Sequence, residues 1–132
     1  MLLLDTNICI YAIRHQSQVV LKHLRDQNAS DVGVSAITVA ELEYGVARSA
    51  RQEKNTEALQ MFLAPLEILP FDDRAAVHYG RIRAQLEGKG TPIGSMDLLI
   101  AAHALSIAAV VVTSNEGEFR RVPGLEIVNW TK

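Results

Sequence analysis

The chain has 132 residues, a formal net charge of −2, 48% hydrophobic residues and a single cysteine. We expect residues 1–132 to form one domain, since this length suits a single hydrophobic core. The lone Cys9 excludes an internal disulfide, and an aromatic content of 5% argues against a base-stacking surface of the single-strand-binding type. The opening apolar run, residues 1–4, is too short for a signal peptide or a membrane span, which favours a cytoplasmic protein that does not contact a membrane.

The pattern along the chain predicts strands that alternate with helices. Strands are expected at residues 1–4, 32–35, 67–69, 109–112 and 125–128, with the last at an edge of the sheet. Helices are expected at residues 7–14, 18–28, 37–50, 53–63, 73–86 and 95–107, with a turn at 29–31 and a short turn or helix at 116–120. Ser35 or Thr38 is the expected cap of the third helix. This alternation predicts an α/β fold, a three-layer α/β/α sandwich around a central, mostly parallel sheet.

Acidic residues lie where the predicted strands end. Asp5 directly follows the first strand, and Asp97 opens the sixth helix, which is apolar nearly all round. Ligands of open parallel sheets bind outside the carboxyl ends of the strands, so these acids are expected to face a crevice. A lone acid after a strand is better explained as a helix cap, but two acids together with Glu41 and Glu118 favour a shared site.

The type of side chain restricts the chemistry of such a site. The four histidines lack metal-motif spacing, and the chain has no nucleophile elbow and no phosphate-binding glycine loop. Carboxylates without thiol or imidazole ligands select hard cations such as Mg²⁺ or Mn²⁺. A cation held by carboxylates can activate water against a phosphoryl group, so the pattern indicates hydrolysis of a phosphodiester or a phosphomonoester.

Four segments of the sequence resemble one known family. Residues 4–8, 35–45, 92–104 and 112–119, together with the tail at 128–130, are similar to the PIN-domain family and, within it, to the VapC toxins of bacterial type II toxin–antitoxin systems. The resemblance implies a Mg²⁺- or Mn²⁺-dependent endoribonuclease that hydrolyses RNA phosphodiester bonds, inhibits translation and forms a homodimer. It also implies a VapB-type antitoxin as partner and a tRNA substrate, with the anticodon stem-loop of initiator tRNA as the leading expectation.

The resemblance also assigns roles to particular residues. It implies that Asp5 and Asp97 hold the metal and that Glu41 and Glu118 complete the catalytic acids. Periodicity alone does not distinguish Glu41 from Glu43, and Glu118 stands in for an aspartate that many PIN domains carry at the position of Asn115. The groups expected to orient the ligands are Thr6, Asn7, Ser95, Thr113 and Asn115. The candidate RNA contacts are Arg14, Arg48, Arg120 and Arg121, for each of which a plain surface charge is an equal alternative.

Three other functions compete with this interpretation. A haloacid-dehalogenase-like phosphatase needs a second acid two residues after Asp5, where this chain has Asn7. A phosphoacceptor receiver domain needs an acidic pair after its first strand and a late lysine. A catalytically inactive PIN-like binding module is disfavoured by the presence of all four carboxylates.

The aromatic residues Tyr44, Phe119 and Trp130 are expected to pack in the core.

Overall fold

A computed structural model describes residues Met1–Lys132. Five strands form the sheet: β1 (Leu2–Leu4), β2 (Val32–Ser35), β3 (Glu67–Leu69), β4 (Val110–Val112) and β5 (Ile127–Val128). Seven helices connect them: α1 (Thr6–Ile13), α2 (Gln18–Arg25), α3 (Ala36–Ala47), α4 (Gln52–Leu63), α5 (Asp73–Gly88), α6 (Ser95–Ser106) and α7 (Glu116–Phe119). The predicted α/β fold is confirmed, and residues 29–31 form a single 3₁₀ turn.

All the strand pairs in the sheet are parallel, and the strand order is β3-β2-β1-β4-β5. The chain moves outward from β1 to β2 and β3, and then crosses to the other side of β1 to form β4 and β5. The order therefore reverses between β1 and β4, which creates a crevice at their carboxyl ends. β5 is an edge strand as predicted, and β3 forms the opposite edge.

Successive side chains of β1 enter different halves of the core. Leu3 packs with α5, α6 and α7, whereas Leu4 packs with α1, α2 and α4 on the other face of the sheet. This alternation is the two-residue period of a strand, and it explains why both faces of the sheet are covered by helices. Cys9 is fully buried in the second of these clusters.

Helix starts are fixed by short polar side chains. Ser35 ends β2 and caps α3, because its Oγ accepts from the Ile37 amide at 3.1 Å. The same oxygen lies 2.7 Å from Nδ1 of His103, which is buried in α6. Ser35 thus joins the start of α3 to α6, and Thr38, the other predicted cap, lies inside the helix. None of the helices is long and apolar enough to span a lipid bilayer.

Candidate active site

Asp5 lies in the crevice between β1 and β4. Its backbone amide donates to the Val112 carbonyl at 3.0 Å, and its Oδ1 accepts from the Ile8 amide at 2.9 Å. Asp5 therefore does cap α1, but a carboxylate has a second oxygen that can bind another group. The side chain is only 3% exposed. Burial raises the pKa of Asp5, and Glu41 adds to the increase, against the opposing effect of the Thr113 hydroxyl and the Ile8 amide.

A second group of acids lies where α6 and α7 meet. Asn115 donates from Nδ2 both to Oδ2 of Asp97 at 3.1 Å and to Oε2 of Glu118 at 2.9 Å. The Gly94 amide donates to Oε1 of Glu118 at 3.3 Å. Asn115 and Gly94 thus hold the two carboxyl groups side by side, although their residues are 21 positions apart in the chain.

The pKa values of these two acids shift in opposite directions. Burial, the hydrogen bond with Glu118 and the negative charges of Glu118 and Asp5 together raise the pKa of Asp97 to about 7, against the opposing hydrogen bond from Asn115. The hydrogen bond from Asp97 is the main cause that lowers the pKa of Glu118, helped by Asn115 and Gly94. Asp97 therefore acts as the donor at neutral pH and below, because several carboxylates in one crevice cannot all ionise without a compensating charge.

Glu41 is held by a residue of α1. Its Oε1 accepts from the Thr6 hydroxyl at 2.5 Å, and its negative charge contributes to the raised pKa of Asp5. Glu43, which periodicity could not distinguish from Glu41, is exposed. The structure thus places Glu41 next to the Asp5 crevice and leaves Glu43 on the solvated face of α3.

Thr113 and Asn115, two of the predicted orienting groups, follow β4 and contact the acids. Thr113 is fully buried, and its Oγ1 accepts from the Asn115 amide at 2.8 Å while the hydroxyl favours the charged form of Asp5. Thr113 and Asn115 therefore connect the two groups of acids. Asn7 and Ser95 are exposed in the first turns of α1 and α6.

The donor set suits a hard cation held in part by water. No three Asp, Glu, His or Cys side chains converge closely enough to form a complete metal cage. Mg²⁺ keeps several waters and commonly uses one or two carboxylates, so Asp5 and Asp97 are a sufficient pair. Burial and, to a lesser extent, neighbouring carboxylates raise the pKa values of both acids, and a bound divalent cation would stabilise their charged forms. The residues present therefore fit such an ion.

The four candidate RNA-contact arginines have different surroundings. Arg14 is exposed beside a groove of about 390 Å³ between α1, α3 and α4, which Glu41 also lines. The Arg48 guanidinium lies 5.7 Å from the centre of the Tyr44 ring. Their role in RNA binding stays a prediction, as it does for Arg120 and Arg121, which are engaged within the chain. Arg120 pairs with Glu116 at 2.8 Å, and Arg121 donates to the Pro92 carbonyl at 2.8 Å.

The expected packing of the aromatic residues is confirmed at two positions and wrong at one. Phe119 and Trp130 are buried, but Tyr44 is 65% exposed. Tyr44 follows Glu41 by one turn of α3 on a part of the helix that no other element covers. The exposed ring and the Arg48 charge therefore lie on the same helix as Glu41.

Sequence reasoning missed the backbone contacts made by the loop between α5 and α6. Gly94 binds Glu118 and Pro92 binds Arg121 through backbone groups, which carry no side-chain signature. Glu116, two residues before Glu118, points away from the two acids and binds Lys132 at 2.8 Å and Asn129 at 3.1 Å.

The parallel α/β sheet with acids at its switch point defines the class of protein, and the comparisons with known proteins identify the family. The family model described as "PIN domain" matches residues 2–125. The chain is 44% identical over 131 residues to "tRNA(fMet)-specific endonuclease VapC" of Salmonella typhimurium, covering 97% of this chain and 96% of the relative. It is 43% identical over 131 residues to "Ribonuclease VapC2" of Rickettsia felis, covering 98% of each.

A solved structure agrees with this result. The fold matches the VapBC2 complex from Rickettsia felis bound to a DNA fragment from its promoter, with a TM-score of 0.93 and 42% identity over 98% of both chains. The chain belongs to the PIN-domain family, and within it to the VapC ribonucleases. The haloacid-dehalogenase-like and receiver alternatives are therefore excluded.

Proposed function

We propose that the chain is the toxin of a VapBC-type toxin–antitoxin module, a cytoplasmic endoribonuclease that depends on Mg²⁺ or Mn²⁺ and acts as one domain over residues 1–132. The observation that carries the proposal is the acidic cluster at the switch point, where Asp97 has a pKa of about 7 beside the buried Asp5. Such a perturbed pair in a crevice is typical of a catalytic site.

The proposal gives each acid a separate task. Asp5 and Asp97 would hold the cation, and Glu118 would stabilise Asp97 or bind the cation through water. When bound, the cation supplies charge neutralisation for a phosphoryl oxygen and a lower pKa for water. Glu41, fixed by the 2.5 Å hydrogen bond from Thr6, accepts a proton from the attacking water.

The neighbouring groups keep these side chains in place. Thr113 and the α1 start hold Asp5, whereas Asn115 holds the orientation of Asp97 and Glu118. Fixing the ligands before the cation binds reduces the reorganisation needed at the moment of reaction.

A tRNA is the proposed substrate, and the anticodon stem-loop of initiator tRNA is the leading candidate. The support is the 44% identity to a relative named as specific for tRNA(fMet). Unpaired loop bases are commonly recognised by stacking on aromatic rings. Tyr44, exposed on α3 with Arg48 above its ring, is the aromatic side chain that could provide such a contact.

A VapB-type antitoxin is the proposed partner, and a homodimer is the proposed assembly. Support for the antitoxin comes from the similarity to a toxin–antitoxin complex over 98% of the chain. The groove between α1, α3 and α4 is half apolar and is lined by Glu41. A segment bound there would cover the approach to Glu41, which provides a simple means of inhibition.

The test is RNA cleavage by the purified chain and by Asp97→Ala. We expect the wild type to cut RNA only with Mg²⁺ or Mn²⁺, and RNA ends sequenced after a pulse of expression to map to one tRNA. Asp97→Ala should keep the native circular dichroism spectrum but lose both cleavage and growth inhibition. Full cleavage by pure Asp97→Ala would refute the proposal, and a wild type that binds RNA without cutting it would favour an inactive binding module.

A further inference from the structure

The loop that leads into α6 is clamped from the side by the segment around α7. Arg121 donates from Nη1 to the Pro92 carbonyl at 2.8 Å, and Glu118 accepts from the Gly94 amide at 3.3 Å. Both bonds join residues more than 20 positions apart. Asp97 follows in the first turn of α6, so this loop determines where that carboxyl group lies.

The start of α6 has no cap of its own. Gly94 occupies the capping position and offers no side chain, whereas α1, α2, α3 and α5 all begin with a side-chain cap. An uncapped helix start frays more readily than a capped one. The clamp from Arg121 thus supplies a restraint in place of the side-chain cap that α1, α2, α3 and α5 have; α4 and α7 also begin without such a cap.

We propose that Arg121 is a positioning residue of the metal site, because it holds the loop before α6 so that Asp97 and Glu118 face each other. This inference rests on the proposed function. It differs from the sequence-based expectation, in which Arg121 was a candidate contact to the RNA backbone.

A purely electrostatic role for Arg121 and a positioning role predict opposite changes in metal binding when Arg121 is replaced. Arg121 carries a positive charge near the acids and contributes to the lowered pKa of Glu118, after the larger effect of the hydrogen bond from Asp97. Removal of a nearby positive charge should strengthen cation binding. A positioning role predicts weaker cation binding after Arg121 is replaced, since the loop before α6 and Asp97 lose their restraint. The sign of the change therefore distinguishes the two effects.

The experiment measures Mn²⁺ binding to the metal-free full-length protein by electron paramagnetic resonance, without RNA. We expect Arg121→Gln to weaken binding about tenfold, the usual effect of losing a residue that orients a ligand. Arg120→Gln is the matched control, because it removes the same charge from a residue that pairs only with Glu116 on the surface, and it should leave binding within about twofold. Arg121→Lys should recover part of the loss, since an ammonium group can still donate to the Pro92 carbonyl.

Two further measurements separate positioning from general damage and from RNA contact. Amide hydrogen exchange in residues 91–97 should be faster in Arg121→Gln than in Arg120→Gln, with the remaining amides unchanged. At saturating Mn²⁺ the KM for RNA should stay at the wild-type value. An Arg121→Gln variant that binds Mn²⁺ as tightly as the wild type or more tightly, or that raises KM with unchanged Mn²⁺ binding, would overturn the inference alone. A wild type that binds no Mn²⁺ would overturn the metal site itself, and the inference with it.

Discussion

Asp97→Asn should stabilise the metal-free protein at pH 8 while abolishing cleavage. A carboxyl group whose pKa is raised by folding stabilises the native state below its unfolded pKa. That contribution is lost as the pH rises through the folded pKa, here about 7 against an ordinary value of 3.8. The wild type at pH 8 therefore bears the repulsion among Asp97, Glu118 and Asp5 without compensation, and the neutral amide of the variant removes it.

The size of the effect follows from three contributions. The interval between 3.8 and about 7, at about 1.36 kcal/mol per pH unit, sets an upper limit of about 4 kcal/mol. Asp97 is partly exposed, so solvent screening reduces this to about 1–2 kcal/mol. Loss of a negative charge from the first turn of α6 costs about 0.3–1 kcal/mol. The net gain is about 1 kcal/mol, which corresponds to a Tm increase of about 3–4 °C for 132 residues.

The assay is thermal unfolding in EDTA at pH 8 and at pH 5. At pH 5 Asp97 is protonated in the native wild type and ionised only in the unfolded chain, so the Tm gain of the variant should be clearly smaller than at pH 8. Glu43→Gln, on the exposed face of α3, should change the Tm at neither pH. Equal or lower stability of Asp97→Asn at pH 8, or the same gain at both pH values, would refute the proposed repulsion within the cluster.

Three other substitutions test the remaining parts of the site. Thr6→Val removes the 2.5 Å hydrogen bond to Glu41 and should lower the kcat of steady-state RNA cleavage about tenfold with little change in KM. A rise in KM alone would contradict the role of Thr6 in orienting Glu41. Tyr44→Ala should raise the KM for RNA about fivefold or more and leave the Tm within about 1–2 °C, while Met61→Ala, a 70% exposed control on α4, should change neither. Asn115→Asp replaces the amide that bridges Asp97 and Glu118 by a third acid, so the Tm in EDTA at pH 8 should fall. Addition of Mg²⁺ should raise the Tm of this variant more than that of the wild type. An equal rise in both proteins would count against a cation shared by these acids.

The strand ends and their acids could be predicted because local signals specify them. An apolar run followed by a polar triplet places Asp5 at the end of β1, and the β-branched run of β4 places Thr113 at the neighbouring strand end. Parallel pairing then brings both to one edge, as the register of β1 with β4 confirms. These features depend on short segments and on the general topology of α/β sheets.

The connections across the site could not be predicted, because they depend on how separate elements pack. Glu41 and Glu43 both flank the apolar face of α3, and only the position of α1 brings the Thr6 hydroxyl to one of them. Tyr44 is an aromatic residue that was expected to pack, yet it is 65% exposed because no other element covers that part of α3. The Arg121 clamp depends on a backbone carbonyl, which every residue possesses and no sequence pattern marks.

Metal dependence of RNA cleavage tests the central claim most directly, because the site is argued from acids that require a cation. Purified wild type and Asp5→Asn would be assayed on one tRNA substrate across a Mg²⁺ titration, with EDTA as the starting point. Asn at this position can still accept from the Ile8 amide, so the α1 cap and the fold should be retained. The account predicts cleavage by the wild type that rises with Mg²⁺ from none in EDTA, and no cleavage by Asp5→Asn at any Mg²⁺ concentration. Undiminished wild-type cleavage in EDTA, or full activity of Asp5→Asn, would contradict it.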